Sequence, residues 1–257
     1  MVTVRLNASE IAVITGHNTY QNITELTEKI LIRNRLKRGV LIKNDIQKKI
    51  LSIQDEKILE TIKKELKLSP TTTKKELETH IHKKYIAPLM TIKKEQDSHK
   101  QLDALLQTLP VTKKILSTSA YTELIKKRGT EQEQKSLDTS EKKNKVHITA
   151  RNNKLYCKPL FEDDCCTIIL QGKIDGMLHD DTVVESKNRS RRLFYRIPKY
   201  EQVQLEAYMF LTGTKTALHI ENYNELTNES YYYHDDLFWT ECKQKLIDFT
   251  IDMIQSL

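Results

Sequence analysis

The segment GKIDGMLHDDTVVESKNR, residues 172–189, constrains the fold more than any other part of the chain. It reads as two short strands, 173–178 and 182–187, joined by a His179-Asp180-Asp181 turn. Side chains alternate across a strand, so Glu185 and Lys187 project from one face of the second, with Asp175 on the first. A sheet face with two carboxylates and an ammonium is costly to bury unless the charges find partners. A divalent cation would remove that cost. Asp175 and Glu185 are hard oxygen ligands suited to Mg2+, with Mn2+ as a substitute, and the Ser186 carbonyl offers a third ligand. Lys187 would then touch the attacking water, its pKa lowered by partial burial. Such a set suits phosphodiester hydrolysis, where a metal stabilises developing negative charge and acidifies water. A Glu-x-Lys triplet alone is common on solvated hairpins. Asp-x9-Glu-x-Lys on two adjoining strands is much more specific.

Composition narrows the partner. Lys and Arg number 42 against 35 Asp and Glu, a net charge of +7. That balance fits either a nucleic-acid partner or helices merely solvated by lysine. No apolar run approaches the roughly 20 residues of a membrane helix, and MVTVRLNASE lacks the layout of a secretory signal. The expectation is a soluble intracellular protein with no membrane partner. Cys157, Cys165, Cys166 and Cys242 form no C-x-x-C pair, which argues against zinc and for reduced, mostly buried thiols.

The texture changes along the chain. Ser9 stands where it could cap a short helix, Gly16 breaks it, and a second helix fits 24–33. Residues 35–125 read as a lysine-rich helical insertion: Ile58, Ile62 and Leu66 share a stripe, Thr73 and Glu76 make a capping box, and Leu77, Ile81 and Tyr85 form another stripe. His80 and His82 point apart on a helix and suggest no metal. Further helices fit 103–115 and 120–127, and a polar helix ends near Asn144. Strands fit 146–150, 155–159, 167–170 and 217–223. A helix at 200–211 ends at Gly213, and another fits 236–257. Gln204 and Tyr208, four apart, share a helix face. Arg189, Arg191, Arg192 and Arg196 cluster just after Lys187 and suit phosphate contacts, or a solvated loop.

These blocks resemble the PD-(D/E)XK nuclease superfamily, in its lambda-exonuclease-like, YqaJ-type or RecB-like branch. Ile174-Asp175-Gly176 stands where that family has Pro-Asp-Gly, and Glu185-Ser186-Lys187 matches its E-x-K. Ala8-Ser9-Glu10-Ile11-Ala12 followed by Gly16-His17-Asn18-Thr19-Tyr20 is similar to the opening of phage and viral recombination exonucleases, with threonine in place of a proline. Arg128-Gly129-Thr130-Glu131-Gln132-Glu133 is similar to the family's acidic helix, and Gln204-Leu205-Glu206-Ala207-Tyr208 to its glutamine helix. The matched blocks cover about a third of the chain, and the 35–125 zone matches none of them.

The resemblance implies a single α/β domain over residues 1–257, with a restriction-endonuclease-like core: a central mixed sheet flanked by helices and carrying the helical insertion. It implies metal ligation by Asp175, Glu185, Ser186 and Glu133, with Glu131 the alternative to Glu133. Lys187 and Gln204 would complete the catalytic set. Ser9 would hold a terminal phosphate at a helix N-terminus, beside Arg189, Arg191 and Arg192 on DNA. The implied activity is exonucleolytic hydrolysis from duplex DNA ends in recombination, repair or viral DNA processing. The implied partners are DNA, a single-strand annealing protein and further copies of the chain. A structure-specific or single-strand endonuclease of the same fold is one alternative. A nucleic-acid binding module without catalysis is another.

Overall fold

The structure, a computed structural model, describes residues 1–39, 42, 44–92 and 95–257. The chain divides into two units, Met1–Leu41 with Glu133–Leu257, and Ile42–Gln132.

The second unit is helical. It contains α3 (Asp45–Ser52), α4 (Glu56–Glu65), α5 (Lys74–Ile81), α6 (Glu95–Gln107) and the start of α7 (Pro110–Asn144). Thr73 and Glu76 close the expected capping box at the head of α5. A π turn (His82–Ile86) and a 3-10 turn (Ala87–Thr91) continue that helix. One stripe from each helix feeds a core that includes Ile46, Ile50, Ile62, Leu66, Leu77, Leu102 and Leu116. Sequence periodicity placed helices at 103–115 and 120–127. In the structure α6 stops before Pro110, which opens the continuous α7, because proline fits the first turn of a helix and not its interior. Residues 42–132 hold nineteen Lys and Arg against twelve Asp and Glu. The whole net charge of +7 therefore falls in the helical unit, and the other unit is neutral.

That other unit is α/β, with mixed sheets flanked by helices. Its first sheet has the order β1 (Val2–Asn7), β3 (Cys166–Gly172), β2 (Tyr156–Glu162), with β1 parallel and β2 antiparallel to β3. Its second has the order β4 (Gly176–Met177), β5 (Val183–Asn188), β6 (Thr216–Tyr223), β7 (Leu226–Tyr233). β5 and β6 run parallel, joined through α8 (Lys199–Thr212), and β7 returns antiparallel. Gly213 ends α8 in the left-handed conformation (φ +79°), as its sequence position indicated. One core lies between the sheets and the helices α1 (Ile11–Ile14), α2 (Ile23–Arg33), α8 and α9 (Asp236–Gln255). It buries Leu6, Ile30, Leu170, Val183, Val203, Leu205, Trp239 and Leu246. A smaller core on the opposite face of β5 and β6 packs Val184, Leu218 and Ile220 against Ile148 and Leu137 of α7. No helix of the described residues is long and apolar enough to cross a membrane.

Several strands differ from expectation. β7, with Thr227, Asn228, Glu229 and Ser230 in a row, carries too many polar residues to stand out by alternation, whereas β1 does alternate, Val2, Val4 and Leu6 against Thr3, Arg5 and Asn7, and is a strand the sequence reading did not place. Residues 146–150 make a single bridge, Thr149 to Met177, in place of a strand. The first arm of the hairpin shrinks to Gly176–Met177, so Asp175 sits in a bend just before β4. Cys157 and Cys165 are exposed, Cys166 and Cys242 buried, and all four are free.

Gly176 marks how tightly this bend is packed. A Cβ there would stand 2.2 Å from the Cγ2 of buried Ile148 and 3.4 Å from the Thr149 carbonyl oxygen. Gly176→Ala should therefore destabilise the fold by about 1–3 kcal/mol, measured by denaturant unfolding. A neutral result would mean that the Ile148 segment yields freely.

Candidate active site

Register aligns the polar residues of two parallel strands. Glu185 pairs with His219 and Lys187 with Glu221, so the four side chains lie on one face, under α8. Asp175 joins them from the bend, where its Oδ2 accepts the Ser186 N–H at 2.8 Å. Asp175 and Glu185 are both buried. Burial pushes the Asp175 carboxyl well above the usual range, and the neighbouring Glu185 and Glu133 carboxylates push it further, against Lys187 and the Ser186 N–H. Glu133, half-buried near the middle of α7, is held by Asn152, whose Nδ2 donates to its Oε1 at 2.9 Å; the Asn152 N–H donates in turn to the Ile174 carbonyl at 3.1 Å. Glu131, the alternative in register, is exposed.

Lys187 joins the carboxylates to the helix. Its Nζ pairs with Glu185 Oε1 and donates to Gln204 Oε1 at 3.1 Å. Gln204 Nε2 donates to the Tyr208 hydroxyl at 2.8 Å. Gln204 and Tyr208, four apart on α8, thus form one relay, and burial followed by the Glu185 charge raises the Tyr208 phenol. Burial alone would lower the Lys187 ammonium, as the sequence suggested. Here Glu185, Asp175 and Glu201 outweigh it, and the pKa lies above the ordinary value.

Among the described residues, no group of three or more His, Cys, Asp or Glu side chains stands ready to hold a metal ion. The donor set still fits one. Glu185 Oε2 is buried without a hydrogen-bond partner, and two buried carboxylates repel each other beside it. Magnesium commonly binds through one or two carboxylates and keeps several waters.

Beyond the hairpin lies a network that sequence reasoning missed. Arg189 Nη1 and Nη2 grip both oxygens of Glu201 at 2.6 and 2.7 Å, and its Nε donates to Glu221 Oε1 at 2.7 Å. His219 Nε2 lies 2.8 Å from Glu201 Oε2. Despite burial, the Arg189 and His219 hydrogen bonds hold Glu201 down to about 2. Arg189 is therefore committed to buried carboxylates, and this corrects its expected place on phosphate. The available signal was the alternation of Ala217, His219 and Glu221 on a strand otherwise fit for burial. Arg191, Arg192 and Arg196 do remain exposed.

Ser9 needs a second correction. Glu10, not Ser9, occupies the N-cap position of α1, with no side-chain capping bond. Glu10 is buried against Lys29 (2.7 Å) and Arg33 (2.7 Å). Ser9 is exposed in the preceding turn.

No family model matches the sequence, and no curated protein matches it. Among solved structures, the chain is similar to an alkaline exonuclease (LHK-Exo) from Laribacter hongkongensis: TM-score 0.45 and 13% identity, over 68% of this chain and 93% of that one. The same enzyme in complex with dAMP matches with TM-score 0.43 and 15% identity, over 67% and 86%. A phage-related exonuclease from Haemophilus somnus 129PT matches with TM-score 0.41 and 10% identity, over 51% and 71%.

Proposed function

We propose that the chain is a magnesium-dependent DNA nuclease, with residues 42–132 a helical elaboration of its catalytic unit. The observation that carries this reading is the buried Asp175–Glu185 pair joined to Lys187, with one oxygen of Glu185 left unsatisfied. Asp175, Glu185 and the Ser186 carbonyl would hold the metal, with Glu133 acting directly or through water. When bound, Mg2+ supplies charge stabilisation at the phosphoryl oxygens and a more acidic water. Lys187, with its raised pKa, is an ammonium near neutral pH. It would therefore donate to the attacking water or a phosphoryl oxygen and fix its position, and would not take its proton. Gln204, braced by Tyr208, would fix the ammonium in turn.

Within the nuclease reading we favour action from duplex ends, on the similarity of the 8–20 block to recombination exonucleases. The test is digestion of end-labelled linear duplex and of covalently closed circles, with magnesium, manganese, calcium or chelator. The expected result is loss of linear DNA with Mg2+ or Mn2+ and no turnover with Ca2+ or chelator. Rapid cutting of circles would replace the exonuclease with an endonuclease. Cleavage undiminished by chelator would overturn the metal-dependent reading itself.

A further inference from the structure

The segment that follows the catalytic strand borders a groove of about 1680 Å3 whose lining includes Arg191, Arg192, Tyr195, Arg196, Lys199 and Tyr231. Small-molecule pockets measure roughly 300–1,000 Å3, so this one has room for a larger occupant. Its lining contains five Lys or Arg residues and no Asp or Glu. That is a local excess of positive charge in a unit whose overall charge is zero. Arg189 spends its charge on Glu201 and Glu221. Arg191, Arg192 and Arg196 are exposed, and no ion pair ties them among the described residues.

Aromatic rings stand among these cations. Tyr20 is 86% exposed, Tyr195 69% and Tyr231 56%, far more than tyrosines used for packing. Tyr195 also holds a left-handed backbone conformation (φ +57°), which costs energy in a bulky residue and persists only where its surroundings impose it. Buried Glu221 imposes it here. Its carboxylate accepts the Tyr195 N–H at 3.0 Å and the Phe194 N–H at 3.4 Å, while Arg189 stacks over the Phe194 ring at 4.2 Å. The buried network thus presents Tyr195 outward on a preorganised strap, with cations on both sides.

We propose that this groove binds single-stranded nucleic acid, by stacking unpaired bases on Tyr195 and Tyr231 and placing phosphates against Arg191, Arg192 and Arg196. The inference rests on the nuclease reading for its place in function, since the groove lining includes Asn188, the residue after Lys187. Its physical grounds are independent of that reading. Anionic charge alone would call for cations without exposed rings. Duplex DNA hides its base faces, whereas a single strand offers both features together.

The experiment is anisotropy of a labelled dT strand of about 12 nucleotides, within the usual range of such sites. It uses the full chain with chelator present, so that nothing is cleaved. Tyr195→Ala combined with Tyr231→Ala should weaken binding about tenfold or more, and Tyr195→Phe with Tyr231→Phe should restore it, because stacking needs the ring and not the hydroxyl. Arg191→Gln, Arg192→Gln and Arg196→Gln together should flatten the log–log salt slope by about 0.7 per lost phosphate contact. Equal binding by the alanine variant and the native chain would overturn the proposal. So would an acidic peptide that competes as well as dT, which would make the groove a protein-docking surface. Failure of the nuclease reading looks different: dT binding would remain tyrosine-dependent while no DNA is cut with magnesium.

Discussion

Asp175→Asn and Glu185→Gln should each abolish magnesium-dependent cleavage, and Asp175→Asn should also raise the melting temperature of the metal-free protein, whereas Glu185→Gln gives up its ion pair with Lys187. The rise comes from relieved repulsion. Both carboxylates are buried, Asp175 is pushed well above its usual range by burial and by Glu185, and one Glu185 oxygen has no partner. Asp175→Asn keeps the shape, removes the repulsion and leaves the Glu185–Lys187 ion pair in place. Relief of about 1 kcal/mol would raise Tm by roughly 2–4 °C in a protein of this size. Lys187→Met should act the other way on stability, since it leaves the Glu185 charge alone, and should also lower turnover by about 10²–10³-fold, the usual loss of one donor to developing charge. Melting curves without metal, set beside cleavage rates with it, check both halves. An Asp175→Asn variant that melts lower than the native chain would mean that the pair is structural. One that still cuts would move the chemistry elsewhere.

The second large effect belongs to Arg189. Arg189→Met leaves Glu201 and Glu221 buried without their cation and should cost about 3–5 kcal/mol, a fall in Tm of roughly 10 °C. Arg189→Lys should recover only part of this, because a lysine cannot reproduce the bidentate grip on Glu201. The same network sets an acid limit. The Glu201 carboxyl, held down to about 2 in the folded chain, lends stability that is complete above the ordinary value of 4.5 and drains away as pH falls toward 2. Unfolding followed by circular dichroism from pH 6 downward should show the native chain losing stability in that window and the Arg189→Met variant losing less. An unchanged melting temperature in the variant would contradict the burial and pairing described for Arg189.

Much of this was legible in residue order because it depends on local rules. Alternation placed Glu185 and Lys187 on one face, a four-residue spacing placed Gln204 with Tyr208, and Thr73 with Glu76 announced a helix start. What escaped was set by long-range packing. β1 alternates over only six residues and pairs with β3 across more than half the chain, and β7 is a largely polar segment that is strand because β6 offers it an edge. Arg189 looked like its neighbours Arg191 and Arg192. Only the parallel pairing of β5 with β6, which brings Glu221 beside Lys187, reveals that it points inward. Ser9 had the composition of a cap, but the backbone turned one residue later, at Glu10.

The parallel union of β1 and β3 also orders events during synthesis. Val2 lies opposite Cys166 and Asn7 opposite Gln171, so β1 has no strand partner until the ribosome has made the chain through β3. The helical unit can form earlier: its core residues all lie within 46–124, and helices organise far faster than distant strands meet. The apolar residues Val4 and Leu6 are therefore carried unpaired while the residues up to β3 are made, available to chaperones and to other nascent chains. Closing this long loop should be the slow phase of refolding, and substitutions at Val4 or Leu6 should govern yield more than activity.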